Sequence, residues 1–180
     1  MMRAPQLTRL LGPMRLTALW AIGTFALDQA SKLAVVFGLN LVERGSIDVI
    51  PPLLTFRMAW NRGMNFGLFA NDAQVARWLL IAVALAISVW VWRWIARDGA
   101  SPYARIAAGL LIGGALGNVV DRVAYGAVAD FLNMSCCGIE NPYAFNVADI
   151  AIFAGAIGLV LFTGAPKGPA KRATKRRKTP

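Results

Sequence analysis

Four apolar segments, each long enough to cross a bilayer as a helix, constrain this chain more than any other feature. A helix needs about 20 residues to cross about 30 Å of hydrocarbon. The chain has 180 residues, is 57% hydrophobic, and carries no charge between residues 78 and 91. The sequence therefore predicts an all-α membrane protein, a four-transmembrane-helix bundle. The predicted spans are 16–38, 77–96, 103–123 and 145–163.

The distribution of basic residues predicts how these spans are oriented. Of the 19 lysines and arginines, three precede the first span, three flank the link between the second and third, and seven follow the last. Four crossings place all of these groups on one side, which the positive-inside rule assigns to the cytoplasm. We therefore expect both termini in the cytoplasm and two outward-facing segments, residues 39–76 and 124–144.

The two ends of the chain each allow a second interpretation. A net charge of +10 is compatible with nucleic-acid binding. We instead expect the tail, residues 166–180, to be a disordered basic segment that contacts anionic lipid, and we expect no nucleic-acid partner. The N-terminal apolar run resembles a cleavable signal peptide, but Asp28 and Lys32 follow without a clear cleavage site, so an uncleaved span is expected. Residues 1–165 are predicted to form a single domain.

The first outward segment is predicted to contain a strand. Apolar and polar side chains alternate over residues 54–61, which is the period of a strand with one apolar face. Asn61 ends this run and, with Gly63, begins a stretch rich in glycine and amide side chains that suits close backbone approach to a ligand. An ordinary hairpin turn is the open alternative. We expect a small outward-facing β-sheet on the bundle.

The absence of histidine limits the chemistry available to the chain. Without histidine there is no Ser-His-Asp triad, no Cys-His pair and no His-ligated zinc. The adjacent Cys136 and Cys137 cannot supply four zinc ligands and are interpreted as incidental. We predict no metal and no cofactor, and a pair of carboxylates is the best remaining candidate for catalysis.

Asp130 and Asp149 are the candidate pair, one before the last span and one in its first turns. At 1.5 Å per residue, Asp149 lies only about 6 Å along the helix from Phe145, near the outer surface. Asn146 shares its helix face. Two adjacent carboxylates cannot easily hold two negative charges, so one keeps a proton and the pair can activate water against a peptide carbonyl. A structural ion-pair network and a cation pathway are the alternatives.

The third span carries glycines at steps of four, at positions 109, 113 and 117, which favour close helix packing in lipid. Asp121 is the next step of four on that face, and Asn118 and Arg122 form a second i, i+4 pair beside it. Charged groups at the edge of hydrocarbon need partners. We expect this polar cluster to brace neighbouring elements.

The first span carries a charged pair of its own, Asp28 and Lys32, at i, i+4. We expect a buried structural ion pair that joins the first span to the cluster on the third. Ser31 is adjacent to Lys32 and points elsewhere on the helix, so the two do not form a dyad. A dyad of Ser135 with Lys32 has no support in the sequence but stays open.

Together, these motifs resemble bacterial lipoprotein signal peptidase, also called signal peptidase II. The resemblance covers about residues 25–160, with the motifs in the same order as in that family. One departure is Met64 and Asn65, where the family often has small residues. The most specific motifs are GNVVDR at 117–122, GAVADF at 126–131 and FNVAD at 145–149.

The resemblance implies a multi-pass aspartyl endopeptidase of the bacterial inner membrane, with its site at the periplasmic face and no metal or cofactor. Its substrate would be a prolipoprotein cut just before a diacylglyceryl-modified cysteine, and globomycin would inhibit it. Asp130 and Asp149 would catalyse, and Asp28 and Lys32 would support the site. The other implied supporting or substrate-binding residues are Asn61, Gly63, Asn118, Asp121, Arg122 and Asn146.

Two rival functions remain compatible with the residues alone. A transporter or proton-coupled channel subunit would use Asp28, Asp121 and Asp149 as a relay. A non-catalytic scaffold would use its aspartates only to pair with the basic side chains of Lys32, Arg62 and Arg122. A relay requires ionisable groups spread through the depth of the bundle, whereas here most of them cluster at one end.

Overall fold

The computed structural model describes most of the region in which the predicted site lies. Predictions for Arg3 and Arg9, for Met64 and Asn65, for Cys137 and for the tail 166–180 lie outside the described residues. The described residues are 12–63, 73–96, 100–136, 138 and 141–163.

The described part of the chain folds into helices and one small antiparallel sheet, as predicted. A π-helical segment, Leu33–Gly38, extends the first helix. The three strands lie side by side in the order β1, β2, β3. The elements in chain order are α1 Pro13–Lys32, α2 Leu41–Arg44, β1 Ser46–Ile50, β2 Leu54–Asn61, α3 Ala73–Ile95, α4 Pro102–Tyr125, β3 Val128–Met134 and α5 Val147–Thr163.

Membrane-spanning character is clearest in α3 and α4. Among the described helices, Gln74–Ile95 and Pro102–Tyr125 are long and apolar enough to cross a membrane, and Val147–Thr163 is apolar but shorter. Large apolar side chains of α3, such as Val83 and Trp90, face outward. Outward apolar side chains suit a hydrocarbon environment. The total of four spans stays a prediction.

Helix α4 is the centre of the bundle and packs against α1, α3 and α5. Ser101 caps its start by accepting a hydrogen bond from the N–H of Ala104 at 3.1 Å, with Pro102 in the first turn. Gly126 ends it in the left-handed region, at φ +79°. Its glycines face two directions, because Gly113 lies against α1 and Gly114 lies against α5. The close approach of α1 and α5 to α4 therefore depends on glycine, which has no side chain, at these positions.

Replacing Gly113 by alanine is expected to destabilise the fold. A Cβ there would meet the backbone oxygen of Ala21 and lie 2.8 Å from Cβ of Thr24. Overpacking of this kind costs about 1–3 kcal/mol. Gly23→Ala is the matched control, since nothing lies within 4 Å of its Cβ position and alanine is the better helix former. Thermal unfolding in detergent compares them, and equal melting temperatures would contradict the packing argument.

Strand β2 occupies the predicted residues, but β3 was not predicted as a strand. The first four residues of β3 are all buried, so the alternation that reveals a half-buried strand is missing. Beyond its pairing with β2, β3 bonds to the chain just before α5. The N–H groups of Phe131 and Leu132 donate to the carbonyl oxygen of Phe145 at 3.0 and 2.8 Å. This bridge brings the strand that carries Asp130 beside the helix that carries Asp149.

Candidate active site

Asn146 contacts both candidate catalytic carboxylates. Its Nδ2 donates to Oδ1 of Asp130 at 2.6 Å, and its backbone N–H donates to Oδ2 of Asp149 at 3.1 Å. Its own Oδ1 accepts from the N–H of Asp149 at 2.9 Å, the reciprocal pattern of a capping box at the start of α5. Asn146 is fully buried. A helix cap therefore fixes one carboxylate and, through the same side chain, holds the other.

Two further amides complete the hydrogen bonding of the pair. Nδ2 of Asn61 donates to Oδ2 of Asp130 at 3.0 Å, and Nδ2 of Asn118 donates to Oδ1 of Asp149 at 2.9 Å. The N–H of Gly63 donates to Oδ1 of Asn61 at 2.9 Å, which turns the amide nitrogen of Asn61 toward Asp130. Gly63 has φ +90°, and a Cβ there would lie 2.5 Å from Cδ1 of Leu80. The positive φ therefore favours glycine here, and any other residue would also displace the end of the Leu80 side chain.

Asp130 has the electrostatics of a proton-holding carboxyl. It is almost completely buried, and burial raises its pKa to about 7, with the negative charge of Asp149 acting in the same direction. Hydrogen bonds from Asn61 and Asn146, and the charge of Lys32, act against that rise in the pKa. Near neutral pH, Asp130 therefore exists in both protonation states beside a second carboxyl.

A buried ionic cluster lies directly behind this pair. Nζ of Lys32 lies 2.8 Å from Oδ2 of Asp28 and 2.7 Å from Oδ2 of Asp121. Gln29 joins the two aspartates, because its Nε2 lies 3.1 Å from Oδ2 of Asp28 and 3.2 Å from Oδ1 of Asp121. Lys32 also lies 3.4 Å from Oδ1 of Asn118. Asn118 thus touches both the ionic cluster and Asp149.

The two aspartates of this cluster also hold the elements that carry the candidate pair. Oδ1 of Asp28 accepts from the N–H of Ala148 at 3.0 Å, at the first turn of α5. Oδ2 of Asp121 accepts from the N–H of Ala129 at 3.1 Å, in β3. A negative charge at a helix N-terminus is favourable, because the free N–H groups there carry partial positive charge. The cluster therefore positions both Asp149 and Asp130.

Other candidates from the sequence lie at the edge of the network or outside it. Arg122 donates from Nη1 to the carbonyl oxygen of Asn118 at 3.4 Å, and its buried Nε has no partner among the described residues. Ser135 lies 3.3 Å from Oδ1 of Asn133 and accepts from the N–H of Asn141. Lys32 bonds instead to its two aspartates, so the Ser135–Lys32 dyad does not form.

Sequence reasoning missed Gln29 and the two backbone N–H groups. Gln29 carried a usable signal, since it is an amide beside Asp28 within an apolar span. The N–H groups of Ala129 and Ala148 carry no signal in a single sequence, because any residue except proline supplies one.

Two solved structures share this architecture. One is a bacterial membrane enzyme solved by the in meso method at 2.3 Å, with 27% identity, a TM-score of 0.65, and coverage of 81% of this chain and 85% of that chain. The other was solved by the same method at 1.9 Å, with 26% identity, a TM-score of 0.68, and coverage of 81% and 90%. The apolar helices, the polar network at one end and these likenesses define a helical membrane enzyme.

Sequence comparison gives the family. The family model described as signal peptidase (SPase) II matches residues 20–164. The lipoprotein signal peptidase of Methylorubrum extorquens PA1 is 46% identical over 150 residues, covering 82% of this chain and 86% of that protein. That of Methylobacterium radiotolerans is 44% identical over 168 residues, covering 93% and 96%. The chain belongs to the signal peptidase II family, a family of proteases.

Proposed function

We propose that this chain is an endopeptidase that removes the signal peptide from diacylglyceryl-modified prolipoproteins by cutting just before the lipidated cysteine. Asp130 and Asp149 activate the hydrolytic water in this proposal. The observation that carries it is the bonding of both carboxylates to Asn146, which holds two acids from different elements at one place. The shared name of the curated relatives, lipoprotein signal peptidase, supports the substrate class.

In the proposed mechanism, one carboxyl is protonated and the other is ionised at the start. Asp149 takes a proton from water as the water oxygen bonds to the scissile carbonyl carbon, and Asp130 gives its proton to the carbonyl oxygen. As the C–N bond breaks, Asp149 passes its proton to the leaving amine and Asp130 recovers a proton from the new carboxyl group. Each general acid or base of this kind contributes about 10²–10⁴-fold.

The remaining site residues have supporting roles in this proposal. Asn61, Asn118 and Asn146 orient the two carboxylates, and Gly63 orients Asn61. Asp121 and the Asp28–Lys32 ion pair hold β3 and α5 in place. Arg122, whose buried Nε has no partner among the described residues, is assigned to contact with the substrate.

We propose a bacterial inner-membrane location with four spans, both termini in the cytoplasm and the site at the periplasmic face. Residues 1–165 form one domain in this proposal, and the basic tail contacts anionic lipid. A substrate anchored by its acyl chains reaches the site within the membrane plane, which explains why the acids lie at one end of the helices. Globomycin-like peptides compete for the same place.

Cleavage of a defined precursor tests the proposal. The purified chain, in detergent, is incubated with a precursor that carries diacylglycerol on its lipobox cysteine, with and without a chelator. We expect cleavage just before that cysteine that is insensitive to chelator and inhibited by globomycin. The same precursor without the lipid is the control and should stay intact. Failure to cut the modified precursor, or loss of cleavage with chelator, would overturn the proposal.

Cleavage is expected to fall as the pH rises above about 7. The proposed reaction needs one protonated carboxyl, and the pKa of Asp130 is raised to about 7. Below that pH Asp130 keeps its proton. Above that pH Asp130 is deprotonated and can no longer act as the general acid, so the cleavage rate falls. The measurement is the pH dependence of kcat/KM. A flat profile from about pH 6 to 9 would exclude Asp130 as the acid.

A further inference from the structure

A cleft of about 490 Å³ lies at the same end of the bundle as the candidate acids but on the other face of the β2–β3 pair. Its lining includes Trp60, Arg62, Arg77 and Tyr125. Neighbouring side chains on a strand point to opposite faces. Asn61 bonds to Asp130 on one face, so its strand neighbour Trp60 belongs to the other. The proposed mechanism makes no use of this cleft.

Arg77 is held rigidly in the cleft. Its Nη2 donates to the carbonyl oxygen of Val123 at 3.0 Å, and its Cζ lies 5.2 Å from the ring centroid of Trp78. Its Nη1 lies 3.6 Å from where a Cβ on Gly126 would be, so the guanidinium packs beside the turn that ends α4. Its Nε is buried and has no hydrogen-bond partner among the described residues. The guanidinium of Arg77 is therefore held in place where it lines the cleft.

The charge of the cleft is not neutralised within the described part of the protein. The ion pairs found there all involve Lys32, so neither Arg62 nor Arg77 faces a carboxylate at ion-pair distance. Arg62 is exposed beside the cleft. Two arginines without acidic partners among the described residues favour an anionic ligand, and guanidinium groups match the oxygens of a phosphate in particular.

The position of the cleft places it at a membrane surface. Gln74–Ile95 begins beside it and Pro102–Tyr125 ends beside it, and these are the two helices that qualify as spans. The rings of Trp60 and Tyr125 lie 5.7 Å apart at its edge, and both are partly exposed. Tryptophan and tyrosine are enriched where hydrocarbon meets headgroups. This holds whichever side of the membrane that end faces.

We propose that this cleft binds the phosphate of an anionic phospholipid headgroup, with Arg62 and Arg77 as the phosphate ligands and Trp60 and Tyr125 against the glycerol and upper acyl region. The diacylglyceryl group of the proposed substrate carries no phosphate, so the ligand is a lipid of the surrounding membrane. The site is therefore separate from the peptidase site and stands or falls independently of the proposed function.

Lipid binding to the full-length purified chain tests this proposal. Native mass spectrometry compares retention of dioleoylphosphatidylglycerol and dioleoylphosphatidylcholine. We expect the wild type to prefer the anionic lipid and Arg62→Gln to reduce that preference about fivefold, the worth of one basic residue near an anionic surface. Adding Arg77→Lys keeps the positive charge but removes the paired N–H donors of the guanidinium group. This second substitution should reduce the preference for the anionic lipid further. Arg57→Gln, at an exposed β2 arginine outside the cleft lining, is the matched control and should have no effect.

Three outcomes of the lipid-binding experiment would contradict a phospholipid headgroup site. Equal retention of both lipids by the wild type, or an unchanged preference in Arg62→Gln, would exclude a headgroup site. Arg62 is exposed and its side chain makes no hydrogen bond or ion pair with the described residues, so its variant stays informative if the Arg77 variant does not fold. Displacement of the lipid by inorganic phosphate, or by a soluble acidic peptide, at the same concentration would assign the cleft to that ligand instead.

Discussion

Replacing Asp130 or Asp149 by asparagine is expected to abolish prolipoprotein cleavage, with a loss of at least about 10³-fold for each. An amide neither accepts the proton of the attacking water nor returns one to the leaving amine. The fold should survive, because both carboxyls are held by neutral amides and by a backbone N–H rather than by buried cations. The raised pKa of Asp130 also means that the native site already tolerates a neutral group there.

The measurement is the cleavage rate of each purified variant on the lipid-modified precursor, together with its thermal unfolding in the same detergent. Asp48→Asn is the matched control, since Asp48 lies exposed on β1 and bonds only to Thr55 among the described residues. It should cut at the wild-type rate. Normal processing by Asp130→Asn or Asp149→Asn would exclude the paired-carboxylate mechanism. An unfolded variant would instead show that the residue is needed for structure.

The outward strand and the packing face of α4 were predictable, because each has a short period in the sequence. Alternation over residues 54–61 predicts a strand, and β2 occupies those residues. Glycines every four residues predict a close helix contact, and Gly113 lies against the backbone of α1. β3 was not predictable in this way. It lies between other elements and is buried on both faces at its start, so it shows no alternation.

The sequence singles out residues that the structure brings together, but it does not reveal the hydrogen-bond network among them. Asp130 and Asp149 stand out because carboxylates near apolar segments are costly. Which group bonds to which depends on contacts between distant parts of the chain. Asp28 and the N–H of Ala148 are 120 residues apart, and no local pattern connects them. The role of Asp28 as a cap on α5 therefore emerges only from the assembled bundle.

Replacing Lys32 by methionine is expected to destabilise the folded protein by about 3–5 kcal/mol, the usual cost of removing one partner from a buried ion pair. Lys32 is almost fully buried and bonds to both Asp28 and Asp121. Without the ammonium group, the two carboxylates keep Gln29 and backbone N–H groups as their partners among the described residues. Thermal unfolding in detergent measures the effect, and Arg57→Met, at an exposed position, is the control.

Neutralising the carboxylates left behind should restore part of this loss. Adding Asp121→Asn to Lys32→Met removes one of the two unpaired charges, so the double variant should be more stable than Lys32→Met alone. If Lys32 merely filled space, Asp121→Asn would not rescue the variant. A Lys32→Met protein that keeps full stability but cuts no substrate would contradict the structural role and would indicate that Lys32 acts in catalysis. Asp28 and Asp121 hold the elements that carry the two candidate acids. We therefore expect Lys32→Met to lose thermal stability, and to lose activity only as a consequence of that loss.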